Sequence, residues 1–161
     1  MRFSIWNRKN LNEKNANQKQ MQKWLIALLM GFILTTAGCA SDDTQAPLSI
    51  IGVYTDGWGG EHTITADDWT IGYTGSDPSV FAILSFDNTD KYVIAQNDVA
   101  NTYSPELFSR FDWTEPDGAL YYCQTAYAAE TEQAAMDTVA ADATDLTTGC
   151  GSFPWSELTA Q

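Results

Sequence analysis

The sequence predicts a mainly β domain: a single antiparallel meander, small barrel or sandwich, with one Ala-rich helix near its C-terminus. Three observations predict it. Short runs of Val, Ile, Tyr, Phe and Trp recur at roughly the 8–12-residue spacing of all-β folds. Clusters of Gly, Pro, Asp and Asn separate the runs and supply tight turns. The composition then changes at Ala128–Ala141, where Ala, Glu, Gln and Met replace the β-branched residues.

In chain order, Ser49–Thr55 is β-rich through Ile50, Ile51, Val53 and Tyr54, and Asp56-Gly57-Trp58-Gly59-Gly60 turns it back. Glu61–Ala66 alternates His62 and Ile64 with Thr63 and Thr65, the period of a half-buried strand. Asp67-Asp68 turns the chain into a third strand, Trp69–Thr74, which Gly75-Ser76-Asp77-Pro78 ends. Ser79–Phe86, with Val80, Phe81, Ile83 and Phe86, reads as a central strand, and Lys91–Gln96 follows the turn at Asp87-Asn88-Thr89-Asp90. In the longer interruption Asn97–Leu107, Ser104-Pro105-Glu106 has a cap followed by Pro and predicts one helical turn. Phe108–Thr114 resumes as a strand and Glu115-Pro116-Asp117-Gly118 turns it. The next strand, Ala119–Tyr127, has one face of Leu120, Tyr122, Gln124 and Ala126 and another of Tyr121, Cys123, Thr125 and Tyr127. Ala128–Ala141 has high helix propensity, with Ala135, Met136, Val139 and Ala140 as its buried stripe. Phe153–Leu158 closes the domain, 49–161.

A different kind of segment precedes the domain. Lys23 ends a basic lead-in, and the 11-residue apolar run Trp24–Leu34 is shorter than the about 20 residues that span a bilayer. That is the design of a secretory signal. The four residues Thr36-Ala37-Gly38-Cys39 resemble the lipobox of bacterial lipoproteins, with Thr at a position where that family usually has Leu. The resemblance implies that the chain is cut before Cys39 and that Cys39 carries diacylglyceryl and N-acyl (palmitate-type) chains. Residues 1–38 would then be a signal peptide and 39–48 a lipidated flexible tether. Asp directly after the cysteine marks inner-membrane retention in that family. Ala40 stands there, so the resemblance implies an outer-membrane lipoprotein of the cell envelope. Met21-Gln22-Lys23 is a compact lead-in by itself, which points to residues 1–20 as a misassigned start. A peptide from Asn10–Gln20 in the unprocessed precursor would refute that.

Charge and cysteine content narrow the function classes. Residues 1–38 hold six of the eight basic residues and one of the 21 acids, so 39–161 carries 20 acids against Lys91 and Arg110, a net charge of −18. Such a body repels nucleic acid and anionic surfaces. A salt-adapted solvated surface, cation binding or a cationic partner would each suit it. With Cys39 on lipid, Cys123 and Cys150 remain for a disulfide in an oxidising compartment. Two thiols and the distant His62 lack the ligand set of a metal site.

The segments Phe86-Asp87-Asn88, Tyr92–Asp98, Phe108–Trp113 and Tyr121-Tyr122-Cys123-Gln124 resemble a group of uncharacterised bacterial lipoproteins, over most of Gly52–Leu158. That resemblance implies a class and no activity. Gly52-Val53-Tyr54 is similar to the Gly-x-Trp opening of lipocalins and related calycin barrels, with Tyr for Trp, and it favours a barrel over a sandwich.

No Ser-x-x-Lys or Gly-x-Ser-x-Gly pattern supports a serine nucleophile. Asp67-Asp68 could serve as acid and base, but consecutive strand residues face opposite ways. Asp87-Asn88-Thr89-Asp90 offers calcium-type oxygens without the Gly and distant Glu of an EF-hand loop. Arg110 suits either an ion pair with Asp112 or Asp98, or a ligand's carboxylate or phosphate. Trp58 and Tyr103 fall in loops, where flat aromatic faces beside Asp and Asn suit a glycan or another small amphipathic ligand. The alternative for both is folding back over the core. The sequence therefore predicts a lipid-anchored binding or interaction module with Trp58, Tyr103 and Arg110 as candidate ligand contacts, and no cofactor, metal or catalytic residue. Its alternatives are a calycin-like carrier with a cavity lined by Phe81, Phe111 and Trp113, and an acid-dependent hydrolase.

Overall fold

In the computed structural model residues 46–161 are described; the signal segment, Cys39 and residues up to 45 lie outside them. Eight antiparallel strands close into one barrel in chain order: β1 Gly52–Asp56, β2 Gly60–Ile64, β3 Asp68–Tyr73, β4 Ser79–Asp87, β5 Tyr92–Asn97, β6 Phe108–Thr114, β7 Leu120–Ala129 and β8 Ser156–Ala160. Closure comes from β8 pairing with β1 (Tyr54 opposite Ala160, Asp56 opposite Leu158), which leaves no open edge. Of the meander, barrel and sandwich allowed by the sequence, the chain forms the barrel.

An eight-stranded barrel is just wide enough for side chains to fill it. Here the filling is aromatic. Trp69 stacks on Phe111 with ring centroids 4.6 Å apart, and Phe81 meets the edge of Phe111 at 5.0 Å. Ile64, Val93, Ala95 and Trp113 pack around them, with Leu158 from β8. Burying each such side chain contributes about 1.5–3 kcal/mol. In β4, Phe81 and Ile83 share one parity and Phe86 has the other. A bulge between Ile83 and Ser85 resets the alternation, so all three reach the core while Leu84 turns outward.

The segment read as the end of a tether packs as part of the domain. Leu48 and Ile50 are buried in the core, and Asn88 holds them there by accepting from the Ser49 N–H and donating to the Pro47 carbonyl. This plug lies at the end of the barrel that carries the β2–β3, β4–β5 and β6–β7 turns.

Two local expectations give way to tertiary contacts. The predicted helix at 128–141 shrinks to α1, Glu132–Met136, capped by Thr131. Ala128 and Ala129 are drawn into β7, where Ala129 pairs with Phe108. Beyond the helix the backbone is claimed by the barrel wall: Arg110 Nη1 donates to the Met136 carbonyl, and the Ala141 N–H donates to Asp112 Oδ2. Of the expected stripe only Ala135 is fully buried, and Val139 and Ala140 are exposed. Helix propensity is thus overridden by packing. At Ser104-Pro105-Glu106 a turn replaces the helical one, with Ser104 and Glu106 at positive φ. Asn97 organises it by exchanging backbone hydrogen bonds with Leu107 and Glu106 and donating from its side chain to the Ser104 carbonyl.

Candidate functional site

The topology places four connections at the end opposite the plug: β1–β2 with Trp58, β3–β4, β5–β6 with Tyr103, and the long β7–β8 excursion with α1. Each is built to hold its backbone and leave side chains outside. In the β1–β2 turn, Asp56 Oδ1 accepts from the Trp58 and Gly60 N–H groups at 2.8 and 2.7 Å. Gly59 adopts φ +85°, and a Cβ on Gly60 would sit 2.7 Å from Asp56 Oδ2, so glycine is needed at both. The indole of Trp58 is left 74% exposed. The β7–β8 excursion is tied down by the Cys123–Cys150 disulfide and by Trp155 Nε1 donating to the Asp142 carbonyl.

Three clefts open at this end. One of about 490 Å³ lies between β7 and the excursion, bordered by Asp142, Asp145, Cys150 and Phe153. A second of about 310 Å³ runs between Trp58 and Phe153 over Tyr122. A third of about 220 Å³ lies beneath Tyr103, lined by Phe81, Asn97 and Asn101. Gln124 and Tyr127 line all three. Trp58 and Tyr103, far apart in sequence, therefore flank one shared stretch of wall. Tyr103, Phe153 and Tyr127 are 82%, 71% and 61% exposed, so the rim is aromatic. The sequence pattern put Tyr127 on the face of Cys123. Irregularities in the β6–β7 pairing shift the alternation, so Ala126 pairs with Arg110 and Tyr127 joins Gln124 at the clefts.

Beneath the rim the inward side chains are polar. Gln124 Nε2 donates to Ser109 Oγ at 3.0 Å, and Ser109 Oγ donates to Asn97 Oδ1 at 2.6 Å. Gln124 Oε1 accepts no hydrogen bond from the described residues. On the other side of the barrel, Trp69 Nε1 donates to His62 Nδ1 at 3.1 Å, and His62 Nε2 lies 3.2 Å from Asp56 Oδ2. The Trp69 bond requires an unprotonated Nδ1, so the ring is neutral with its proton on Nε2, directed at the carboxylate. Burial pushes the His62 pKa below its ordinary value, and the partly compensating bond and charge of Asp56 do not reverse it. Burial pushes Asp56 up, but hydrogen bonds from Gly60, His62 and Trp58 together hold it below the usual carboxylate range. Asp56 and His62 form a satisfied pair that supports the turn carrying Trp58.

Arg110 sits away from the rim, on the outer wall under the excursion. Its Nε and Nη2 donate to Asp112 Oδ1 at 3.0 and 2.9 Å, Nη1 is taken by Met136, and the guanidinium lies 4.7 Å over the Tyr92 ring. At 7% exposure it is committed to protein partners. The ion pair with Asp112 accounts for it, and a ligand contact does not. The acids weighed as chemistry are structural too. Asp87 Oδ1 accepts from the Thr89 and Asp90 N–H groups, and Asp67 and Asp68 shape the β2–β3 turn with Thr65.

Of the residues singled out in the sequence, Trp58 and Tyr103 border these clefts; Gln124, Tyr127, Phe153 and Asp56 were not singled out. Gln124 and Tyr127 were hidden by the irregular pairing in β7. Asp56 carried a usable signal, an Asp beginning an Asp-Gly-x-Gly turn, where its carboxylate can cap the N–H groups that follow. No family model matches the chain, nor does any curated protein or solved structure.

Proposed function

We propose that this chain is a lipid-anchored binding or interaction module of the cell envelope, held at the outer membrane through Cys39, whose contact surface is the aromatic rim. One observation carries the reading: Trp58 and Tyr103, from separate connections, are kept exposed on either side of the same Gln124–Tyr127 wall. Single exposed apolar residues are ordinary, but a contiguous exposed set marks a contact surface. The anchor fits this arrangement. Eight residues beyond Cys39 the chain reaches Pro47, a span of at most about 28 Å, and there it enters the plugged end.

The carrier alternative asks for an empty interior lined by Phe81, Phe111 and Trp113. Phe111 and Trp113 are 0% and 2% exposed, and Phe111 fills the space between Trp69 and Phe81, which favours the rim. The hydrolase alternative asks for two close buried carboxylates. The buried acids among the described residues, Asp56 and Asp112, serve His62 and Arg110 on opposite faces of the wall.

The test is ligand capture from envelope extracts with residues 40–161, which contain the whole barrel, its core and its disulfide, followed by mass spectrometry. The expected result is a ligand retained by the native protein and lost by Trp58→Ala/Tyr103→Ala. Retention by that variant would refute the reading. For the anchor, Cys39→Ser should leave the precursor uncut and unacylated; a mature acylated product from that variant would exclude it.

A further inference from the structure

The rim combines two properties that together select a partner. It is aromatic, and it has no cation. The four connections at this end carry eight acidic residues and no Lys, Arg or His. The two cations of the domain are elsewhere: Lys91 is in a turn of the plugged end, paired with Glu115 at 3.4 Å, and Arg110 is buried against Asp112. Two of the acids, Asp142 and Asp145, line the cleft between β7 and the excursion together with Tyr127 and Phe153. Hydrogen bonds from Thr144 and from Thr148 and Thr147 hold the two carboxyls below the usual carboxylate range.

We infer that the rim binds a basic amphipathic peptide segment, its Lys or Arg side chains beside Asp142 and Asp145 and its apolar side chains against Trp58, Phe153 and Tyr103. This rests on the rim being the binding surface. Ammonium and guanidinium groups are attracted both by carboxylates and by the faces of Trp and Tyr. Phosphate-bearing, sulfated or carboxylated ligands would meet like charge with no cation to offset it. A peptide fits better than a small cation because the three clefts adjoin the same Gln124–Tyr127 wall. Together they reach from Trp58 past Gln124 and Tyr127 to Tyr103, a length that no single small ion fills. Gln124 Oε1, without a donor among the described residues, offers an acceptor for a peptide N–H in the middle of that path.

A generally acidic protein attracts basic peptides anywhere on its surface, so the test must separate local from global charge. Residues 40–161 are titrated with a synthetic Lys/Leu/Phe peptide of about 12 residues, its Glu-for-Lys counterpart and a neutral glucan oligosaccharide, with tryptophan fluorescence as the readout. The basic peptide is expected to saturate and to weaken as salt rises, and the acidic one not to bind. Asp142→Asn/Asp145→Asn should weaken the basic peptide roughly tenfold, while Asp67→Asn/Asp90→Asn, the same charge change at the plugged end, should change it less than about twofold. Asn keeps an acceptor for the turn N–H groups, and circular dichroism checks that the barrel persists. Equal loss in the two double variants would overturn the inference, as would salt-independent binding of the native protein. Binding of the glucan but not the peptide, lost in Trp58→Ala, would overturn it and leave the rim standing as the binding surface. Binding of every probe unaffected by Trp58→Ala would remove the rim itself.

Discussion

The two ends of this barrel are made from the same eight strands and do opposite things. At one end the turns are short, and Leu48 and Ile50 fold in beneath them and seal the core. At the other the β5–β6 and β7–β8 connections are long, the inward side chains turn polar, and Trp58, Tyr103, Tyr127 and Phe153 are left in solvent. On the proposed reading, the difference separates stability from recognition. The plugged end carries apolar burial that a small domain cannot do without. The rim spends its large side chains outside, because the disulfide, Asp56 and Asn97 already hold its backbone. Residues of similar size should therefore have very different effects at the two ends.

The largest effect belongs to the plug. Leu48→Ala and Ile50→Ala should each destabilise the domain by about 2–5 kcal/mol, the cost of a truncated buried aliphatic. Ile51→Ala, one residue on but 45% exposed, should stay within about 0.5 kcal/mol. Urea unfolding of residues 40–161 reads all three. An unchanged midpoint for Leu48→Ala would mean that the seal is not part of the core and that the two ends are alike.

Next is the tie on the β7–β8 excursion. The disulfide spans 27 residues. Loop-closure entropy alone gives about 3.5 kcal/mol for a loop of that size. Cys123→Ala/Cys150→Ala should lose about that much and also weaken binding at the rim, because Phe153, Asp142 and Asp145 all lie on the excursion. Full stability in the double variant would transfer the tie to the Arg110–Met136, Asp112–Ala141 and Trp155–Asp142 hydrogen bonds.

How much of this was legible in the sequence follows from what each feature depends on. The strands were legible because alternation is local: His62 and Ile64 in β2, Trp69 and Ile71 in β3. Closure was not, since pairing of β8 with β1 is set by register across the whole sheet. The bulge at Leu84 was hidden because Phe81, Ile83 and Phe86 read simply as an apolar run. The helix over 128–141 was over-read because propensity ignores Arg110 and Asp112, which take backbone groups from the segment beyond Met136. Leu48 and Ile50 looked like tether and strand because nothing local announces that Asn88 will hold their backbone. The loops of Trp58 and Tyr103 left exposure and folding back over the core both open, and their low burial in the fold decides for exposure. Their meeting on one wall was not legible, since it needs the barrel to bring two hairpins to the same end.

A smaller effect probes the polar layer beneath the rim. In the fold His62 titrates below its unfolded value and Asp56 below its own. Above about pH 6.5 His62 is neutral in both states and adds no pH dependence. As pH falls below that, the unfolded chain takes up a proton that the fold refuses, and stability declines until the folded pKa is passed. Asp56 repeats the pattern below about pH 4, where its carboxylate is protonated first in the unfolded chain. The urea midpoint should thus fall in acid in two stages. His62→Gln should abolish the first, since it keeps a donor for Asp56 without a titrating ring. Persistence of the first stage in that variant would assign it to another group.

The smallest effect on stability should come from the residues proposed to make the contact surface. Trp58→Ala and Tyr103→Ala each remove a large ring, yet the rings are 74% and 82% exposed and the backbone beneath them is held by other groups. Asp56 caps the Trp58 turn through main-chain N–H groups, and Asn97 holds the Tyr103 loop through carbonyls, so neither turn depends on its aromatic side chain. The unfolding midpoint should move by no more than about 0.5 kcal/mol in either variant, while binding at the rim falls. A large loss of stability on removing either ring would mean that the rim is folded over the core after all. The contrast between a sealed end and a displayed one would then disappear.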